Sequence, residues 1–145
     1  MNLTKAVLAA VALVLVSGTT ALAQGTNADT PAVAVKGYDV VAYFKESRAV
    51  KGMSELLHDF DGVRYFFSSA QNRAAFGADP DRFTPQFGGY CARAVSKGRK
   101  FEADPTNWKI VDGKLYVFAS PQARDAADHD PELLARAHRA WKALK

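Results

Sequence analysis

Two Asp-Gly pairs constrain this chain more than any other feature. One sits in "LLHDFDGVRYFFSS" and the other in "NWKIVDGKLYVFAS", each between two runs rich in β-branched and aromatic residues. Asp-Gly suits a two-residue hairpin turn because both central positions need positive φ, which glycine adopts freely and aspartate tolerates. In the first stretch Leu56, His58 and Phe60 alternate with Leu57, Asp59 and Asp61; in the second, Trp108, Ile110, Leu115 and Val117 flank Asp112-Gly113. Two β-hairpins are therefore predicted.

Helix-start signals follow both hairpins. Ser68 or Ser69 can cap a helix over "AQNRAAFGA" that ends near Gly77, and Gln71 could complete a capping box with Ser68. "DPDRF" reads as a further turn, with Asp79 as cap and Pro80 at the first helical position. Cys91 to Lys97 is expected to form a short helix closed by Gly98. Ser120-Pro121 and Asp130-Pro131 announce two more helices, the last carrying Leu133, Leu134, Ala137, Trp141 and Leu144 on one face. The apolar patch in "GYDVVAYF" fits a short helix and an extended turn equally. Neither internal repeats nor low-complexity tracts stand out. The expectation is one small α+β domain over residues 36–145, with a ββα core, a second β-hairpin and C-terminal helices.

Upstream, residues 1–23 combine Lys5, an apolar run from Ala6 to Val16 and the tripeptide Ala21-Leu22-Ala23, the layout of a secretory signal peptide. The run is short of the roughly 20 apolar residues a membrane helix needs, and no later stretch supplies them, so no membrane span is expected. Residues 24–35 read as a flexible lead-in, and the product as an exported protein, periplasmic or secreted. The formal charge is +4, and Lys5 in the leader accounts for one unit of it. This mild basicity does not argue for nucleic acid. A single cysteine excludes an internal disulfide, so an ordinary core must supply the stability.

The segment "YFFSSAQNRAAFGADPDRF" resembles the core of the YHS domain: an aromatic strand, Ser69, a short helix with Phe76, then Asp79-Pro80 and the aromatic Phe83. With "GYDVVAYF", "PQFGGYCARAVSKG" and "DPTNWKIVDGKLYVF", the likeness runs over roughly residues 36–142 and is to the exported bacterial branch, some of whose members are named as selenoproteins. The resemblance implies a ββα unit akin to treble-clef zinc folds and, for many members, metal binding through cysteines. This chain departs from that pattern. Ser68 and Asn72 stand where metal-binding members carry cysteine, and "GYDVVAYF" lacks the cysteine of the N-terminal knuckle. What the resemblance leaves is a sparser site using His58, Cys91 or a carboxylate.

Cys91 has two readings. It could be a thiol at the start of a short helix, among Arg93, Lys97, Arg99 and Lys100, where positive potential favours thiolate; or it could pack into the core with Ala94 and Val95, as free cysteines commonly do. His58, on the core-facing side of the first strand, could ligate a metal or simply be hydrogen-bonded. His129 lies among Asp125, Asp128 and Asp130, which suits a solvated helix junction better than a metal site, and its spacing from His138 is not the i, i+4 of a helical metal pair. Tyr38, Asp39 and Tyr43 read as turn-forming and packing residues. Tyr65, Phe66, Phe67, Phe76, Phe83, Phe87 and Trp108 read as core. Nucleophile-elbow, phosphate-loop, His-Glu-x-x-His and Cys-x-x-Cys patterns are absent. The expected function is a non-enzymatic module that binds a small ligand or a transition-metal ion through His58 and Cys91. The alternative is a thiol redox protein that acts through Cys91 with a redox partner protein or a small-molecule thiol.

Overall fold

In the computed structural model, residues 30–145 are described. The expected leader, and the lead-in up to residue 29, lie outside them. Order begins earlier than the lead-in reading implies: β1 (Ala32–Val33) pairs in parallel with β3 (Val63–Phe67), and Ala34 is buried. With β2 (Met53–Phe60) these strands form one sheet in the order β1-β3-β2, and β4 (Asp104–Val111) and β5 (Lys114–Phe118) form a second. The fold is mixed α+β.

Both hairpins form at the Asp-Gly pairs. β2 (Met53–Phe60) joins β3 (Val63–Phe67) through Asp61 and Gly62 at φ 50° and 74°. β4 (Asp104–Val111) joins β5 (Lys114–Phe118) through Asp112 and Gly113 at φ 51° and 71°. The undecided "GYDVVAYF" contains a helix, α1 (Val40–Lys45), because Asp39 accepts hydrogen bonds from the amides of Val41 and Ala42 and so starts it. Ser69, not Ser68, caps α2 (Ala70–Ala78) by accepting from Asn72, and Ser120 caps α5 (Pro121–His129) by accepting from Ala123. With Ser69 at the cap, the residue three on is Asn72, so Gln71 stands out of register for a box. α3 (Pro80–Phe83) has Pro80 in its first turn but no side-chain bond from Asp79. α4 (Ala92–Val95) is shorter than expected, with Gly98 at φ 73° behind it, and α6 (Leu133–Leu144) ends the chain.

The backbone overturns the reading that the chain has no repeat. The order turn, short helix, hairpin, helix, helix occurs twice, the second time from residue 86 onward. Val35, Lys36 and Gly37 have φ of 44°, 51° and 82°; Phe87, Gly88 and Gly89 have 58°, 61° and 79°. Tyr38 then bridges to Lys51, and Tyr90 to Glu102. The Asp39 amide donates to the Val50 carbonyl at 2.8 Å, and the Cys91 amide to the Phe101 carbonyl at the same distance. Each hairpin breaks register at the matching place, between Met53 and Leu57 and between Asp104 and Trp108. The shared residues are those of turns and caps, Asp-Gly, Ser and Asp-Pro, with one tyrosine and one phenylalanine per strand. Core side chains differ between the copies, Phe76 matching Ala127 and Asn72 matching Ala123, which is why composition and periodicity hide the duplication.

The two units share their cores. One cluster gathers Tyr43, Phe67, Phe76 and Phe83 with Leu115 from the second hairpin; the other gathers Phe87, Cys91, Val95 and Phe118 with Ala137 from α6. Tyr43 ties them, with its ring 5.1 Å from that of Trp108 and its hydroxyl donating to the Pro105 carbonyl at 2.8 Å. Burial pushes the Tyr43 phenol well above its ordinary pKa, so it remains a donor.

Candidate functional site

The duplication places Asp39 and Cys91 at one structural position, and the two units treat that position in opposite ways. Asp39 is fully buried, and its carboxylate accepts five hydrogen bonds. Oδ1 takes the amides of Val41 and Ala42 at 2.9 and 3.2 Å. Oδ2 takes the amide of Ser68 at 2.8 Å, the hydroxyl of Ser68 at 2.7 Å and the side-chain amide of Asn72 at 2.8 Å. A buried charge held this way is satisfied on every side. Ser68 and Asn72, which stand where the YHS resemblance puts cysteines, thus converge on Asp39 and close the first unit with hydrogen bonds.

The second unit has none of these polar partners. Ala119 and Ala123 occupy the positions matching Ser68 and Asn72, and the acidic residue is replaced by Cys91. Two shortened side chains leave space, and Cys91, Ala94, Ala119 and Ala123 line a cavity of about 210 Å³. Cys91 is 2% exposed, so its sulfur meets solvent at most through this cavity. Around the mouth stand Arg93, Lys97 and Arg99, with Phe101, 61% exposed, as an aromatic wall. The ion pairs among the described residues engage none of these three cations. Acidic side chains do not line the cavity, so its potential is positive. The expected gain from a helix start is small, because α4 has only four residues and little dipole to offer.

His58 lies in the other half of the molecule. It is half-buried on β2, its ring edge-on to Phe76 at 5.4 Å and against Gly77. It does not line the Cys91 cavity, so the structure does not bring the two expected ligands together. Among the described residues, no three of His, Cys, Asp and Glu gather as a metal ion would require. The described residues do not fit a resident metal. At the helix junction, His129 bonds the Asp125 carbonyl at 2.9 Å, while Asp125, Asp128 and Asp130 pair with Arg124, Lys109 and Arg136. Those partners hold the pKa of Asp128 and of Asp130 below the usual carboxylate range.

Two functional-looking features escape a linear reading. Asp39 reads as a turn former, although aligning Gly37-Tyr38-Asp39 with Gly89-Tyr90-Cys91 would have flagged it as the partner position of the cysteine. His138 bonds the Tyr116 hydroxyl through Nε2 at 2.8 Å, a contact between α6 and β5 with no local signal. Burial, helped by the charge of Lys114, lowers the pKa of His138 below the ordinary 6.5. No family model, curated protein or solved structure matches the chain.

Proposed function

We propose that the chain is an exported, non-enzymatic binding module of the YHS kind whose second unit holds a small anionic ligand over Cys91. One observation carries this reading. The cavity lined by Cys91 opens between three cations that form no ion pair among the described residues, at the position where the first unit is sealed by hydrogen bonds. The leader-like residues 1–23 and the likeness of residues 36–142 to YHS domains support the rest. Alanine walls give the ligand an apolar seat, and the cations select its charge.

Alkylation with two reagents of opposite preference tests it. Thiols in water react faster with neutral iodoacetamide than with anionic iodoacetate. At Cys91 in the native protein iodoacetate should gain about tenfold relative to that baseline, as charges near a protein surface support. Arg93→Glu with Arg99→Glu should remove the gain and leave iodoacetamide little changed. A thiol labelled only after unfolding would mean a closed core cysteine and would end the proposal.

Thiol exchange at Cys91 is the second reading, favoured by the same opening. The chain has no other cysteine, so the second sulfur has to come from another molecule. Incubation with an anionic small-molecule disulfide should then add one thiol mass to native protein, released by reductant.

A further inference from the structure

A larger cavity, about 500 Å³, lies where the first hairpin meets the last helix, and it shares no lining residue with the Cys91 site. Its volume falls within the range of small-molecule sites. Both units supply its aromatic rings: Phe60 and Tyr65 come from the first hairpin, Phe87 from the turn that opens the second unit, and Trp141 from α6. Tyr65 and Phe87 are buried and anchored in the two cores, Tyr65 with its ring 4.6 Å from that of Phe76 and Phe87 5.7 Å from that of Tyr116. The ring of Phe87 is also edge-on to His138 at 4.8 Å and to Trp141 at 6.0 Å, so the walls offer both faces and edges of aromatic rings. They are preformed.

Charge at the rim nearly cancels. Lys142 and Lys145 bring two ammonium groups, and against them stand Asp61, the terminal carboxylate of Lys145 and the C-terminal carbonyls of α6, worth about half a negative charge. His138 adds none at neutral pH, because burial lowers its pKa and its Nε2 is held by the Tyr116 hydroxyl. The rim therefore selects neither sign. A charge carried inward would leave water for aromatic carbon without an ion to pair with, which is unfavourable. Gln86 adds the polar contact that suits such a space, an amide that can donate or accept a hydrogen bond while carrying no charge.

We propose that this cavity binds an uncharged aromatic molecule of about two or three rings, packed on Phe87 and Trp141, with a neutral hydrogen-bonding group at Gln86. N-phenyl-1-naphthylamine, which is neutral and carries an N–H, is the probe; 8-anilinonaphthalene-1-sulfonate, nearly the same ring system with an anion added, is the comparison. The full chain should bind the neutral dye saturably at one site, and the sulfonate about tenfold more weakly. Gln86→Trp, and Val63→Phe from β3, each fill part of the space and should weaken the neutral dye about tenfold. Val63 is half-buried beside a turn, so its replacement leaves the core in place and decides the matter even where Gln86→Trp fails to fold. Lys142→Glu with Lys145→Glu should shift the neutral dye by less than about twofold, because charge does not hold it. Absence of saturable binding, a sulfonate that binds as tightly as the neutral dye, or a neutral-dye affinity that Val63→Phe leaves unchanged would overturn the proposal.

Discussion

Asp39→Cys would force the first unit to adopt the arrangement of the second while keeping its own polar surroundings. Five hydrogen bonds lose their acceptor. The helix cap accounts for about 1 kcal/mol of the loss. The Ser68 amide and the Asn72 side chain are then unpaired away from water, at about 1–3 kcal/mol each, while the half-buried Ser68 hydroxyl can turn elsewhere. The expected cost is about 3–7 kcal/mol, a large part of the roughly 5–15 kcal/mol that holds a domain of this kind together. Adding Ser68→Ala and Asn72→Ala copies Cys91, Ala119 and Ala123, and removes the stranded Asn72 side-chain donor and the Ser68 hydroxyl, leaving the backbone amide of residue 68. Replacing both partners by apolar groups is often nearly neutral, so the triple variant should be more stable than Asp39→Cys alone by about 1–3 kcal/mol. Urea unfolding followed by circular dichroism reads this as the midpoint at constant slope. If Ser68→Ala and Asn72→Ala simply add their own losses to that of Asp39→Cys, the two positions are not equivalent and the reasoning is wrong.

Two further expectations concern other parts of the fold. The His138 pKa is lowered on folding by burial, so the unfolded chain binds the proton more readily. Its contribution is complete above the ordinary 6.5 and is lost as pH falls through the lower folded value; urea midpoints between pH 7.5 and 5 should decline, and His138→Gln should flatten that decline, whereas an unchanged slope would assign the pH dependence elsewhere. Gly52 passes so close to β3 that a Cβ there would lie 2.4 Å from the carbonyl carbon of Phe66 and 2.5 Å from its oxygen. Backbone cannot yield as a side chain does, so Gly52→Ala should cost more than about 3 kcal/mol, and a melting curve like that of the parent would contradict the packing of β2 on β3.

Sequence alone determined what short-range physics controls. Asp61-Gly62 and Asp112-Gly113 fixed both hairpins because only a few residue types accept positive φ at both turn positions. Ser69 and Ser120 marked the helix starts because an exposed amide needs an acceptor a few atoms away. Alternation placed Leu56, His58 and Phe60 on the inner side of β2, where all three are half-buried. Tertiary structure decided the rest. It made Asp39 and Cys91 the same position, sealed one with Ser68 and Asn72, and left the other open beside Ala119 and Ala123. It also set His138 on Tyr116 and kept His58 away from Cys91. These outcomes depend on groups brought together from distant parts of the chain, where a carboxylate or a thiol takes its character from what surrounds it, and no local pattern records that surrounding.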